Sequence, residues 1–184
     1  MIYEDEKVDL LEVAFDTRHE FFNCTFENLN LNQLSLVDSL FDECTFQMCD
    51  LSNATITYST FNECEFIECK LIGINWTTTT RISDLKFKQS NLSFNVFMGL
   101  TIKNFLFDDC LLRECDFAES ILDKSVFTGS NLSRSIFNNT SLKDCDLAEA
   151  SDYSINPLNN QIKGAIFNKV DALDLLSFFG IKLK

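Results

Sequence analysis

Eight cysteines and one histidine are the most reactive side chains in this chain of 184 residues. The closest cysteines follow a C-x₄-C spacing, as in Cys44 and Cys49 or Cys64 and Cys69, whereas zinc sites favour C-x₂-C pairs beside histidines. His19 has no nucleophile motif around it, and we interpret it as a structural residue rather than a catalytic one. The spacing therefore argues against a metal site.

Carboxylates are the second group of side chains that could do chemistry. Glu43 and Glu63 are twenty residues apart, and two carboxylates held close together can act as a general acid and base. The chain contains no P-loop, no G-x-G-x-x-G, no G-x-S-x-G and no H-E-x-x-H motif. We therefore expect no enzymatic activity, no cofactor and no bound metal.

A period of five residues in the sequence predicts where the cysteines and the carboxylates lie in the fold. An apolar residue returns every five positions in two series, one that begins at Phe21 and ends at Trp76, and one that begins at Ile82 and ends at Leu147. Every central position of both series is apolar in a chain that is 46% apolar overall, so the period is not a chance pattern. It fits neither the 3.6-residue period of a helix nor the 2-residue period of a strand.

Positions twenty residues apart carry similar side chains, which indicates that four units make one turn of a stacked coil. The clearest column consists of Phe26, Phe46, Phe66, Phe87, Phe107, Phe127 and Leu147. The sequence thus predicts an all-β, four-sided coil whose central residues fill the core. Twenty-six centres, at four to a turn, give about 6.5 turns.

All eight cysteines lie two residues before a centre, at an inward position that is usually small. Ala54, Ser59 and Ser120 occupy the same position elsewhere, so the site needs a small group rather than a disulfide. Free buried cysteine behaves as a small apolar side chain. We interpret the cysteines as core residues, and a redox or metal role is the alternative.

Several units resemble the A(D/N)Lxx units of pentapeptide-repeat proteins, for example residues 115–119, 130–134 and 145–149. The resemblance covers about residues 19–150, and it implies a right-handed quadrilateral β-helix. Residues 1–18 do not keep the period, and Val8, Leu10, Leu11, Val13, Ala14 and Phe15 predict an apolar N-terminal cap. The gap of six between Trp76 and Ile82 predicts a one-residue bulge within residues 77–81.

Residues 151–184 form the third part of the predicted organisation: a loop around Pro157, a last repeat at Phe167 and a short C-terminal helix. Asp171 is a suitable N-cap for a helix of nine residues, and Gly180 is a suitable stop. Residues 181–184 alternate like an edge strand. The helix is apolar on more than one face, so we expect a homodimer with candidate contacts at Leu173, Leu176 and Phe179.

The net charge of −13 is concentrated in the N-terminal half. Residues 1–76 hold 15 acidic and 3 basic residues, and this sign disfavours direct binding of nucleic acid or of anionic membranes. Residues 20–76 hold nine acidic residues and one basic residue, close to the charge of duplex DNA over the ~14 Å that they span. A surface that serves solubility alone and a surface that imitates a polyanion both fit this pattern.

Outward positions supply the candidate partner contacts: Glu43, Glu63 and Glu68 in the acidic half, and Phe94, Val96 and Met98 in an apolar interruption near Tyr58 and Ile72. The acidic N-terminus lacks the basic region and apolar run of a signal peptide, and no stretch is long and apolar enough to span a membrane. We therefore expect a cytoplasmic protein.

The C-terminal segment resembles that of the quinolone-resistance branch of the pentapeptide-repeat proteins. That resemblance implies a dimeric rod that binds type II DNA topoisomerases, DNA gyrase or topoisomerase IV, by imitating DNA. The chain departs from part of that branch because it has no long loops between the coils. Two functions therefore remain open: a non-enzymatic rod that binds an unidentified protein, and a DNA mimic that binds a topoisomerase.

Overall fold

The computed structural model describes residues 1–8 and 18–181, which form a four-sided coil of short parallel strands. The strands are β1 (Ile2–Glu4), β2 (Glu20–Phe22), β3 (Thr25–Glu27), β4 (Leu40–Asp42), β5 (Thr45–Gln47), β6 (Thr60–Asn62), β7 (Glu65–Ile67), β8 (Arg81–Ser83), β9 (Lys86–Lys88), β10 (Leu106–Asp108), β11 (Asp146–Leu147) and β12 (Ile166–Phe167). One α-helix, α1 (Ala172–Ser177), follows the coil. No helix within the described residues is long and apolar enough to cross a membrane.

The four sides are numbered in chain order by their central residues. Side 1 contains Phe21, Phe41, Phe61, Ile82, Ile102, Leu122 and Leu142; side 2 contains Phe26, Phe46, Phe66, Phe87, Phe107, Phe127 and Leu147; side 3 contains Leu31, Leu51, Leu71, Leu92, Leu112 and Leu132; side 4 contains Leu36, Ile56, Trp76, Phe97, Phe117 and Phe137. β1, β2, β4, β6 and β8 pair on side 1, and β3, β5, β7, β9 and β10 pair on side 2. Isolated parallel bridges join the turns on sides 3 and 4. The predicted four-sided stack is confirmed.

Nearly every side ends at a corner residue whose φ is positive, for example Asn23 (49°), Glu43 (53°) and Glu63 (50°). A left-handed backbone costs roughly 1–2 kcal/mol for a residue with a Cβ. The ladder offsets this cost, since the corner amide of Glu43 donates to the Asn62 carbonyl on the next turn at 3.0 Å. Corner side chains consequently point outward, where they are exposed.

The core is a stack of aromatic rings along side 2. Ring centroids lie 4.4 Å apart for Phe26 and Phe46, 4.7 Å for Phe46 and Phe66, and 4.9 Å for Phe107 and Phe127, with nearly parallel planes. Each ring fills one turn and is fully buried. These centroid separations are close to the ~4.8 Å spacing of strands, so ring stacking and the backbone ladder are satisfied together.

The small inward residues bond to the backbone as well as filling space. Ser130 Oγ donates to the Phe107 carbonyl at 3.0 Å and accepts the Cys110 amide at 3.0 Å. Cys145 Sγ donates to the Leu122 carbonyl at 3.0 Å. All eight cysteines are buried and free, which confirms their prediction as unpaired core residues.

The coil has about eight turns, more than the 6.5 expected from the period. At the N-terminus, β1 pairs with β2, and the ring of Tyr3 stacks on Phe21 at 4.8 Å. Tyr3 and Phe21 are only 18 residues apart, so a search for a spacing of twenty does not find this first strand. Val8 is buried, whereas the other residues of the predicted apolar cap lie outside the described residues.

At the C-terminal end the coil continues through residues that break the sequence pattern. Ser141 bridges to Gln161, and β11 pairs with β12. Asn160 occupies an inward position and donates to the Phe137 carbonyl at 3.0 Å, as a serine does elsewhere. Asp152 and Pro157 stand where apolar centres are expected, but Ser151 still bridges to Asn131, and Ile162 and Phe167 then pack against the core.

The predicted bulge within residues 77–81 is confirmed. Residues Trp76–Thr78 form one turn of 3₁₀-helix, which Asn75 Oδ1 caps by accepting the Thr77 amide at 3.1 Å. The amide of Tyr58 still bonds to the Thr78 carbonyl at 2.8 Å. The extra residue is accommodated at the corner, and the coil keeps its four sides.

The C-terminal helix is shorter than predicted, with six residues instead of nine. Asp171 is the N-cap residue, as predicted, but its backbone angles are helical and its side chain makes no capping hydrogen bond. Asn168 acts one turn earlier, where its Oδ1 accepts the Val170 amide at 2.8 Å and its carbonyl accepts the Ala172 amide. Of the predicted edge strand, only Ile181 lies within the described residues.

Candidate protein-interaction surfaces

A row of carboxylates follows the corner between sides 1 and 2, and we call it the acidic row. The Glu43 amide bonds to Asn62 and the Glu63 amide to Ser83, so Glu43, Glu63 and Asp84 occupy the same corner on three successive turns. All three are exposed, and no ion pair involves them among the described residues. The acidic row therefore carries one uncompensated negative charge about every 4.8 Å.

The acidic row borders a groove of about 380 Å³, lined by Asn23, Glu43, Thr45, Glu63, Glu65, Asp84 and Lys86. Glu65 is paired with Lys88 at 2.5 Å, and that ion pair raises the pKa of Lys88. The predicted contact Glu68 is exposed at the opposite end of β7, on the corner between sides 2 and 3, and so lies outside the row. Sequence reasoning missed Asp84, which falls 21 residues after Glu63 because of the bulge.

The three apolar candidates lie on side 4. Phe94 is 50% exposed at the corner that precedes this side, Met98 is 49% exposed beside its far corner, and Val96 lies half-buried between them. Tyr58 occupies that far corner two turns earlier and is 66% exposed. The structure thus brings Phe94, Val96 and Met98 together as one apolar surface, which we call the side 4 patch.

The C-terminal end of the rod carries a second apolar surface, the C-terminal cluster of Leu173, Phe178, Phe179 and Ile181. All four are exposed, with Phe179 at 55% and Leu173 at 47%. Leu175 packs against the coil and Leu176 is half-buried. Of the predicted dimer residues, Leu173 and Phe179 therefore face solvent, and Leu176 is partly covered.

A cavity of about 380 Å³ separates α1 from the last turn of the coil. Its lining combines the carboxylates of Asp152, Asp171 and Asp174 with apolar atoms of Ile155 and Phe178. The Tyr153 hydroxyl, which is buried, also belongs to this region. Burial, and then the charges of Asp171 and Asp174, raise the pKa of Tyr153 to about 12.

Comparison with known proteins agrees with this architecture. The family model described as pentapeptide repeats matches residues 20–57 and 110–147 with eight copies. No curated protein matches the chain by sequence.

Two solved structures extend the similarity to the whole chain. A trypsin-treated variant of QnrB1, a plasmid-mediated fluoroquinolone resistance protein, has a TM-score of 0.67 and 17% identity, and the match covers 100% of this chain and 99% of that one. Full-length QnrB1 has a TM-score of 0.50 and 19% identity, with 98% and 97% covered. At such identities the likeness concerns the fold. Residues 20–57 and 110–147 thus match the pentapeptide-repeat model, and the whole chain has the quadrilateral β-helix fold of the solved proteins that it resembles.

Proposed function

We propose that the protein acts by binding and not by catalysis, as a rod whose acidic N-terminal half contacts a basic surface of another protein. The acidic row carries this proposal. Glu43, Glu63 and Asp84 are exposed on three successive turns without a basic partner among the described residues. A row of like charges at fixed spacing raises the free energy of the isolated protein, and an oppositely charged partner lowers it.

The placement of the carboxylates supports contact with a large partner. They stand on a convex corner with left-handed backbone, where φ is 53° at Glu43 and 50° at Glu63. The groove beside them is lined mainly by polar atoms and is open to solvent. The surface of a macromolecule can reach such a corner, whereas a small substrate needs a concave site that encloses it.

A matched pair of variants tests this proposal. Glu43→Gln with Glu63→Gln removes two charges from the acidic row, and Glu119→Gln with Glu149→Gln removes two exposed corner charges from the other half. We expect the first pair to weaken binding of the physiological partner about tenfold and the second pair to leave it within about twofold. Equal losses for both pairs would show that net charge alone, and not the acidic row, directs binding.

A second candidate function is imitation of DNA toward a type II topoisomerase. The similarity to QnrB1 over the length of both chains favours it. The charge of residues 20–76 also approaches that of duplex DNA of the same length. The rod would then occupy the DNA-binding surface of DNA gyrase or topoisomerase IV and would itself bind no nucleic acid.

Purified gyrase separates the two candidates. A DNA mimic should bind gyrase in competition with duplex DNA, and its affinity should fall steeply as salt rises from 50 to 200 mM. The Glu43→Gln, Glu63→Gln variant should lose about tenfold in that competition. Gyrase binding that is absent, or that does not depend on DNA and salt, would remove the topoisomerase candidate and leave the general binding rod.

We propose in addition that the C-terminal cluster joins two copies of the chain. Leu173, Phe179 and Ile181 expose about half of their surface at one end of the rod, and a two-fold contact would bury each of them against its counterpart. Light scattering at micromolar concentration should give twice the 21.1 kDa mass of the chain. Leu173→Ser with Phe179→Ser should give the monomer mass.

Leu158→Ser is the control for the dimer, because Leu158 is apolar and 63% exposed but lies on the loop beside Pro157. This variant should keep the dimer mass. A wild-type mass of 21 kDa would overturn the dimer without affecting the acidic row.

A further inference from the structure

The backbone ladder is interrupted on side 1, near the middle of the rod. On this side β8 is the last strand of its sheet, and within the described residues it makes no hydrogen bond to residues 101–104 on the next turn. One turn later the ladder resumes, because the Ile121 amide bonds to the Leu100 carbonyl at 2.8 Å and the Ile102 amide to the Ile121 carbonyl at 2.9 Å. Two adjacent turns are therefore separated along one side.

Large inward side chains account for the separation. Leu85 and Phe105 are fully buried at the inward position that Ser125 holds on the turn after Phe105, and Leu100 occupies the inward position that Ser120 holds on the next turn. These side chains need more room between turns than a hydroxyl does, and they cannot bond to a carbonyl across the coil. The central residue Ile82 is accordingly only half-buried, unlike the other centres of side 1.

The other sides hold the same two turns together. On side 3, opposite the interruption, the Leu92 amide bonds to the Leu111 carbonyl at 2.8 Å and the Leu111 amide to the Ser90 carbonyl at 2.9 Å. On side 2, next to the interruption, the Leu106 amide lies 3.2 Å from the Leu85 carbonyl. The two turns are thus fully hydrogen-bonded on side 3, joined by a slightly longer bond on side 2 and without ladder bonds on side 1.

We propose that this asymmetry makes a bending joint, at which the N-terminal and C-terminal parts of the rod change their relative angle. Side 3 is the fixed edge of the joint, and residues 81–84 move toward or away from residues 101–104 on side 1. Rods of stacked turns transmit bending only through neighbouring turns, so one turn without ladder bonds on one side concentrates the motion there. The joint lies between the acidic row and the C-terminal cluster, and it would adjust the rod to a curved partner surface.

Hydrogen exchange of backbone amides tests the open side directly. The amides of Ile82 and Thr101 should exchange at least tenfold faster than those of Ile102 and Ile121, which have ladder bonds on the same side. Equal protection at the four amides would show that the ladder is closed in solution, and the proposal would fail.

Distance distributions between paired spin labels test the motion. Arg81→Cys with Gln161→Cys spans four turns on side 1 across the interruption, and Lys70→Cys with Ser151→Cys spans four turns on side 3, so both pairs lie about 19 Å apart before label length is added. All four sites are exposed, and the native cysteines are buried. The native chain treated with the same spin-label reagent is the control, and it shows whether the native thiols stay unmodified.

A joint predicts a distribution on side 1 at least twice as broad as that on side 3. Equally narrow distributions would show a rigid rod. Equally broad distributions would show general flexibility without a fixed edge. Either result would overturn the joint.

Discussion

Residues 107–147 and residues 74–105 are built from the same five-residue unit but pack differently. In residues 107–147 the inward small positions hold cysteine, serine or threonine, and all of these side chains except Ser120 bond to carbonyls on the preceding turn, as Thr140 does to Phe117 at 2.8 Å. In residues 74–105 the same positions include Ile74, Leu85, Leu100 and Phe105, which have no group to donate. The ladder is continuous in the first region and interrupted in the second.

The difference shows that the small inward residue has two roles at once. It leaves room for the turns to approach to strand spacing, and its hydroxyl or thiol satisfies a backbone carbonyl that faces the interior. A large apolar residue fills the space but fulfils neither role. Residues 74–105, the central region of the rod, consequently gain apolar burial and lose backbone hydrogen bonds.

The largest effect is expected from truncating a ring in the regular region. Phe107 is fully buried and stacks on Phe87 and Phe127, so Phe107→Ala should lower the free energy of unfolding by about 3–5 kcal/mol. Asp108→Ala, the next residue along β10, should cost less than about 0.5 kcal/mol because Asp108 faces outward. Chemical denaturation measures both, and similar losses would contradict the inward and outward assignment.

A pair of corner glycines compares the two regions more finely. Gly129 has φ +60°, and a Cβ there would lie 2.1 Å from Asp109 Oδ1 on the preceding turn; Gly99, in the central region, has φ +72° and open space around it. Gly99→Ala should therefore cost about 1 kcal/mol for the left-handed backbone alone, and Gly129→Ala about 2 kcal/mol.

The variant Gly129→Ala combined with Asp109→Ala isolates the contact between turns. Its free energy of unfolding, measured by thermal or chemical denaturation, should recover most of the stability that Gly129→Ala loses beyond the loss of Gly99→Ala. No recovery would mean that the backbone conformation, and not the close approach of the turns, sets the cost at Gly129.

The smallest effect concerns buried thiols of the coil at alkaline pH. Burial raises the pKa of Cys115 to about 12, above the value of about 9 for an exposed thiol. Between these values the unfolded chain loses the proton and the folded chain keeps it, so stability is full below pH 9 and falls as pH rises toward 12. Cys115 should contribute a loss of about 1 kcal/mol between pH 8 and pH 10.

Cys115→Ser is the matched variant, because Ser135 occupies the equivalent position one turn later and already bonds to a carbonyl there. Between pH 8 and pH 10 the free energy of unfolding should fall less in this variant than in the native chain, and the difference between the two falls should be about 1 kcal/mol. An unchanged pH dependence would mean that Cys115 reaches solvent.

The period of five and the likeness of residues twenty apart determined the number of sides, the central residues and the buried cysteines. These features follow from sequence because each unit repeats the same local conformation and buries the same position. The sequence predicted only part of the acidic row, because Glu43 and Glu63 are twenty residues apart, whereas Asp84 is displaced by the bulge.

Tertiary structure decided what depends on contacts between turns. The sequence did not reveal β1 because its pairing with β2 spans 18 residues, and it did not reveal the full last turn because Asp152 and Pro157 interrupt the apolar centres before Ile162 restores them. The interruption on side 1 arises only when the volumes of Leu85, Leu100 and Phe105 meet within one turn. Spacing specifies which side chains point inward, and their combined volume, known only once the turns are stacked, determines how closely those turns approach.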